Sequence, residues 1–218
     1  MKPPATEQPV ETHPFAPVLP PHATVMMMGS FPPTADKRSM AFHYPNFQND
    51  MWRIYGLVFF DDPMHFQDGQ ARRFDAQRIR AFLQQRGIAL CPTVRRAIRQ
   101  RGNASDAFLQ VVEAVDLPAV LAQVPHCRAL FTTGGKATEV LLEALHAQQD
   151  GQPNEPPDAP HPMPPRKALK TGQSMDFPYA GRALRLFRLP STSRAYPLSL
   201  ARKAQAYRAF FQQAGLLD

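Results

Sequence analysis

Several features that define common protein classes are missing from this chain of 218 residues. It contains no run of about 18 apolar residues, so we expect no membrane-spanning helix. Its N-terminal region lacks the apolar stretch of a signal peptide. Only two cysteines are present, Cys91 and Cys127. They could pair with each other, but we expect reduced thiols in a cytoplasmic protein.

The signatures of several enzyme classes are also absent. No G-x-G-x-x-G follows the first predicted strand, which argues against a dinucleotide site, and Gly134-Gly135-Lys136 lacks the upstream glycine of a P-loop. No G-x-S-x-G elbow marks a serine hydrolase. The histidines and cysteines show no metal-ligand spacing. We therefore expect neither a metal nor a cofactor.

Proline and basic residues, in contrast, are abundant. The 24 prolines cluster, so we interpret residues 1–20 as a flexible Pro-rich arm and residues 148–180 as a Pro-rich loop. That loop interrupts a single domain over residues 21–218. The formal net charge of +7 favours a polyanion such as nucleic acid as a partner, although a solvated arginine-rich surface explains it equally well.

Strands and helices are predicted to alternate along the domain. Short apolar runs predict strands over residues 23–29, 87–94, 127–135 and 182–190. Helical spacing and end signals predict helices over residues 50–59, 75–85, 116–125, 136–148 and 199–215. This order predicts an α/β fold with three α/β/α layers and a central, mainly parallel, four-stranded sheet. Ligands bind beyond the carboxyl ends of such strands, so three turns should share one rim: Gly29-Ser30, Thr133-Gly134-Gly135 and Ser191-Thr192-Ser193.

Five short segments in this order together resemble the uracil-DNA glycosylase superfamily. They are GSFPP, NDMW, GIALCPTV, ALFTTGGKAT and LPSTSR, and the resemblance runs from about residue 25 to the C-terminal end. LPSTS is most similar to the hypoxanthine-directed and mismatch-specific branches. The resemblance implies a monofunctional DNA glycosylase of base-excision repair with no cofactor. It would flip a deaminated base, hypoxanthine or uracil, out of DNA and hydrolyse its N-glycosidic bond. DNA is then the expected partner of a monomeric protein.

The resemblance also implies which residues form the site. Phe31 occupies the position where relatives carry a water-activating Asp or Asn, so catalysis would fall on Asn49, with Asp50 as a second candidate. Capping of the following helix explains Asn49 equally well. The implied base pocket consists of Gly29, Ser30, Phe31, Phe42, Tyr44 and Gly134. The implied DNA contacts are Ser191, Thr192, Ser193, Arg194 and Lys136.

Other interpretations of these residues stay open. Core packing is the alternative for Phe42, and a surface position on a loop is the alternative for Arg194. A non-catalytic DNA-binding relative would also explain the loss of the water activator at Phe31. A small-molecule hydrolase on the same sheet fits the net charge of +7 less well. Arginines 95, 96, 99 and 101 either line the DNA face or form the solvated side of a helix.

Overall fold

The computed structural model of this protein describes residues 8–101, 105–149, 169–179 and 181–218. A five-stranded sheet lies at its centre. In spatial order its strands are β3 (Ile88–Leu90), β2 (Val25–Met28), β6 (Ala129–Thr132), β8 (Arg182–Arg188) and β7 (Ser174–Tyr179). The first four are parallel, and β7 runs antiparallel to β8 at the edge. The predicted parallel core of four strands is confirmed.

Helices cover both faces of this sheet. One hydrophobic core holds apolar residues of α1 (Met51–Phe60), α2 (Ala76–Arg86) and α5 (Leu200–Gln213). A second core, on the other face, holds those of α3 (Leu117–Ala122) and α4 (Gly135–Gln149). The three-layer α/β/α architecture is therefore confirmed. No helix within the described ranges is long and apolar enough to cross a membrane.

Strand β2 shows why an uninterrupted apolar run forms a strand here. Val25 and Met27 belong to the core beneath α1, α2 and α5, whereas Met26 and Met28 belong to the core beneath α3 and α4. Successive side chains of a strand point to opposite faces, and helices cover both faces of this sheet. All four positions must therefore be apolar.

The ends of two helices follow from local sequence signals. The Asp75 carboxylate accepts hydrogen bonds from the N–H groups of Gln77 and Arg78, both at 3.0 Å, and starts α2. Gly87 ends that helix in the left-handed region at φ +64°, a conformation that glycine adopts readily after the last turn of a helix. Ser199 starts α5 by accepting a hydrogen bond from the N–H of Arg202 at 3.3 Å.

The prediction of a loop over residues 148–180 is wrong for its last part. Ser174–Tyr179 forms the edge strand β7, so the sheet has five strands rather than the four predicted. Pro178 lies within it, and an edge strand tolerates proline because one side of the strand needs no ladder partner. Most of the predicted linker, residues 150–168, lies outside the described residues.

The predicted flexible arm is wrong from Val10 onwards. Val10–Thr12 forms β1, which pairs antiparallel with β4 (Val94–Arg99), and β4 also pairs with β5 (Leu109–Ala114). The backbones of Val18 and Leu90 exchange two hydrogen bonds of 2.8 Å. These backbone bonds hold residues 10–18 on the domain. Arginines 95, 96 and 99 consequently lie on a strand of a small second sheet and not on a helix.

Candidate functional site

A cavity of about 560 Å³ opens at the carboxyl edge of the central sheet. Its volume lies within the range of small-molecule sites. Turns that follow β2, β6 and β8 line it, as expected for a parallel sheet, together with the segment before α1 and residues from the N-terminal region. The residues that carry its chemistry are His13, Phe15, Gly29, Ser30, Phe31, His43, Tyr44, Asn49, Asp106, Thr133, Ser191, Thr192, Ser193 and Arg194.

The turn after β2 requires glycine because a tyrosine hydroxyl lies against it. A Cβ added to Gly29 would lie 2.5 Å from Tyr44 Oη, which is closer than real Cβ contacts come. Tyr44 Oη is hydrogen-bonded to Thr133 Oγ1 at 2.8 Å, joining the segment before α1 to the end of β6. Burial raises the pKa of the Tyr44 phenol well above its usual value, so the group is neutral and can donate a hydrogen bond.

Phe31 lines the pocket and is held from two sides. The His13 ring packs against it in a T-shaped arrangement, with centroids 5.5 Å apart, and the Arg99 guanidinium carbon lies 5.2 Å from its centroid. Arg99 is buried, pairs with Glu11 at 2.8 Å and donates a hydrogen bond to the carbonyl of Pro32. The GSFPP turn is thus fixed to β1 and β4.

Two histidines form a neutral part of the pocket wall, which the sequence interpretation missed. The rings of His13 and His43 stack with centroids 5.4 Å apart, and Phe15 contacts His43 edge-on. Burial lowers the pKa of His13 to about 4 and that of His43 to about 3. Both imidazoles are therefore uncharged at neutral pH. His13 and His43 lie in proline-containing segments that show neither helical nor strand periodicity. Nothing in the sequence therefore indicated that these residues reach the site.

Asn49 lies in this pocket and also makes the capping contact. Its Oδ1 accepts a hydrogen bond of 2.9 Å from the N–H of Met51, the first residue of α1. Within the described part of the chain, no hydrogen bond occupies its Nδ2 group, so the amide retains two donors for a ligand or water. The two interpretations of Asn49 are thus compatible with each other.

Asp50 lies behind the pocket rather than in its lining. Its carboxylate is buried and pairs with Lys203 Nζ at 2.9 Å and Arg194 Nε at 3.3 Å. Its N–H donates to the carbonyl of Thr192 at 2.9 Å. These contacts join the start of α1 to the loop after β8, so the structure assigns Asp50 a positioning role for both.

The loop after β8 brings its hydroxyls to the pocket as expected. Ser191 Oγ accepts from the N–H of Ser193 at 3.3 Å, and Ser193 Oγ accepts from the N–H of Ala195 at 3.2 Å. Thr192 is buried, whereas the Arg194 side chain is 54% exposed. Hydroxyls and an exposed arginine are groups that bind phosphate oxygens.

Besides Asp50, three residues of the predicted site lie outside the pocket lining. Phe42 is 1% exposed and packs in the core against Trp52 and His43, because its segment turns the ring towards α1. Gly134 adopts φ +140° beside the side chain of Ser191, at the edge of the site. Lys136 pairs with Glu139 one turn along α4, at 2.8 Å.

An acidic residue of the pocket was not predicted. Ser30 Oγ donates a hydrogen bond of 2.7 Å to Asp106 Oδ1, and both residues line the cavity. Asp106 begins a short 3-10 turn, Asp106–Phe108, between β4 and β5. The two residues are 76 positions apart in the sequence, so no local motif joins them.

Within the described ranges, no group of three or more His, Cys, Asp or Glu residues could hold a metal ion. Cys91 and Cys127 are free and buried, as expected. Burial raises the pKa of both thiols to about 12, so they are protonated and unreactive in the folded protein.

Comparison with known proteins supports the fold. No family model matches the chain, and no curated protein matches it. Among solved structures, it is similar to the solution NMR structure of a protein from Methanosarcina acetivorans described as a candidate uracil DNA glycosylase. The TM-score is 0.59 at 18% identity, over 94% of this chain and 99% of the other. The chain therefore has a fold of the uracil-DNA glycosylase type.

Proposed function

We propose that this protein is a DNA glycosylase that hydrolyses the N-glycosidic bond of a deaminated base, hypoxanthine or uracil, flipped out of DNA. The observation that carries the proposal is the composition of the cavity. One pocket at the carboxyl edge of a glycosylase-type sheet joins an aromatic wall, a carboxamide and a hydroxyl-rich loop. These are the groups that a flipped nucleotide requires for its base, its sugar and its phosphate.

The aromatic wall suits a neutral heterocycle. Phe31, Phe15 and the uncharged imidazoles of His13 and His43 offer apolar faces and ring nitrogens for hydrogen bonds. A base extruded from the stack loses its neighbours, and contact with aromatic rings compensates about 1–3 kcal/mol per base. Hypoxanthine and uracil both present a carbonyl beside a ring N–H, which neutral donors and acceptors can read.

The other end of the pocket suits the DNA backbone. Ser191 and Ser193 supply hydroxyls, and Arg194 adds an exposed guanidinium group, whereas Thr192 is buried beneath them. The net charge of +7 attracts a polyanion over the rest of the surface. Arg194 Nε donates a hydrogen bond of 3.3 Å to Asp50, which favours an orientation of the guanidinium group at the pocket before DNA arrives.

Hydrolysis by water is the reaction that the lining favours. Among the described residues that line the cavity there is no lysine to form a Schiff base. Lys136 and Lys203 are each paired with a carboxylate elsewhere. Asn49 would orient the attacking water through its amide, which needs no metal and no cofactor.

A non-catalytic DNA-binding protein is the second candidate, because Phe31 cannot activate water. The two proposals are separated by oligonucleotides with one uracil, hypoxanthine or xanthine, in single and double strands, treated with alkali after incubation. Breaks at the modified base support the glycosylase. Their absence, together with salt-sensitive DNA binding, supports the second candidate.

The variant Asn49→Ala tests the role of the carboxamide, with Ser199→Ala as its matched control. Both remove one side-chain contact to the backbone at the start of a helix, but Ser199 does not line the cavity. We expect Asn49→Ala to lose base release while Ser199→Ala retains it. If Asn49→Ala releases the base as fast as Ser199→Ala does, Asn49 has no part in the mechanism.

A further inference from the structure

The strongest feature that the proposed function does not use is the contact between Ser30 and Asp106. Ser30 follows β2 in the turn GSFPP, and its hydroxyl donates to one carboxylate oxygen of Asp106, Oδ1. Across the described residues, Ser30 is the only hydrogen-bond partner of this carboxylate, so Oδ2 remains available. Asp106 is also exposed at the rim, where water can reach it.

Among the described lining residues, Asp106 is the only carboxylate. The other polar groups are poor acceptors of a proton at neutral pH. His13 and His43 have pKa values of about 4 and about 3, and the Tyr44 phenol is already protonated. The Asn49 amide orients water but does not take its proton. A carboxylate is the one group present that can perform this task.

We propose that Asp106 is the general base of the reaction, held in place by Ser30, and that it takes over the role which Phe31 cannot perform. The inference rests on the proposed glycosylase function. A water molecule held by Asp106 Oδ2 transfers a proton to it while the water oxygen forms a bond to C1′ of the sugar. The C1′–N bond breaks, its electron pair stays on the base nitrogen, and that nitrogen takes a proton from solvent. Asp106 returns its own proton to solvent.

The charges around Asp106 make the proposal testable by pH. Crowding by protein atoms removes solvation from the carboxylate and raises its pKa, although the residue is exposed. The Ser30 hydrogen bond and the positive charges of Lys136 and Arg99 oppose this rise, and Glu139 adds to it. Activity should therefore fall as pH drops through a pKa higher than that of a free aspartate, because the base is then protonated.

The experiment is base release under single-turnover conditions with saturating enzyme, measured from acidic to neutral pH on the oligonucleotide that the wild type cleaves best. Asp106→Asn should lower the rate by about 10²–10⁴-fold and keep DNA affinity. Lys136→Met should move the acidic limb of the pH–rate profile to higher pH, because it removes a positive charge that lowers the pKa of Asp106. Asp116→Asn and Lys170→Met are the matched controls, since neither residue lines the cavity or is among the charges that act on Asp106.

The outcomes separate the inference from the proposed function. If Asp106→Asn stays within about threefold of the wild type, or if Lys136→Met leaves the acidic limb unmoved, Asp106 is not the base and the glycosylase proposal stands. If Asp106→Asn does not fold, as judged by circular dichroism, the pH profile of Lys136→Met decides. If the wild type releases no base from any oligonucleotide, both proposals are overturned.

Discussion

Replacement of Lys203 by methionine should destabilise the protein strongly, because it leaves a buried aspartate without its main partner. The side chains of Lys203 and Asp50 are 1% and 9% exposed, and their charged atoms lie 2.9 Å apart. Lys203 also donates to the carbonyl of Ser193 at 2.8 Å. Removal of one member of a buried pair costs about 3–5 kcal/mol, since the remaining charge is uncompensated.

Arg194 reduces this cost only slightly. Its Nε lies 3.3 Å from Asp50, but its side chain is 54% exposed, so solvent screens the attraction to about 1 kcal/mol or less. A chain of this size loses about 2–4 °C in Tm per kcal/mol. The variant Lys203→Met should therefore melt about 6–20 °C below the wild type.

Urea unfolding followed by circular dichroism measures the free energy directly. Arg73→Met is the control, because Arg73 pairs with Asp68 at 2.6 Å on the surface and its loss should cost about 1 kcal/mol or less. The double variant Asp50→Asn/Lys203→Met should recover part of the loss, since no buried charge remains. A Lys203→Met variant as stable as Arg73→Met would refute the reasoning.

Three further predictions concern the pocket and its surroundings. Gly29→Ala should displace Tyr44 and abolish base release, because the added Cβ would lie 2.5 Å from Tyr44 Oη. Acidification should destabilise the fold through His13 and His43: between pH 6.5 and about 4 each takes up a proton in the unfolded chain but not in the folded one, at about 1.4 kcal/mol per pH unit for each histidine. His13→Phe should remove about half of this fall in urea titrations. Thiol reagents should label neither Cys91 nor Cys127 until urea unfolds the protein.

Each of the three has its own control. Tyr44→Phe removes the atom nearest to the added Cβ, so Gly29→Ala should cost less in that background. His126 is exposed and lies outside the pocket, so His126→Phe is the control variant for the same urea titrations. Labelling of a thiol in the folded state at a rate near that of the unfolded chain would contradict the burial of these cysteines.

The elements around the pocket could be predicted where a local pattern determines them. The run of apolar residues 25–28 predicts a strand covered on both faces, and Asp75 and Gly87 mark the ends of α2. Because parallel strands share one carboxyl edge, the turns at Gly29 and Ser191 were expected to meet, and they do.

The features that were not predicted depend on contacts between distant residues. Asp106 reaches Ser30 only because β4 and β5 form a small sheet beside the main one. Strand β1 has three residues, too few for a periodic pattern, and backbone pairing with β4 holds it in place. The sequence around Phe42 does not distinguish it from an aromatic residue of the pocket. Its place in the core depends on packing against Trp52 of α1.

Base release from DNA tests the central claim most directly. The wild-type protein is incubated with oligonucleotides that carry a single hypoxanthine or uracil, and alkali then converts each abasic site into a strand break. The account predicts breaks at the modified base, which disappear in Asn49→Ala and Asp106→Asn while both variants keep their fold. Intact strands with every substrate, from a folded protein that binds the same DNA, would contradict it.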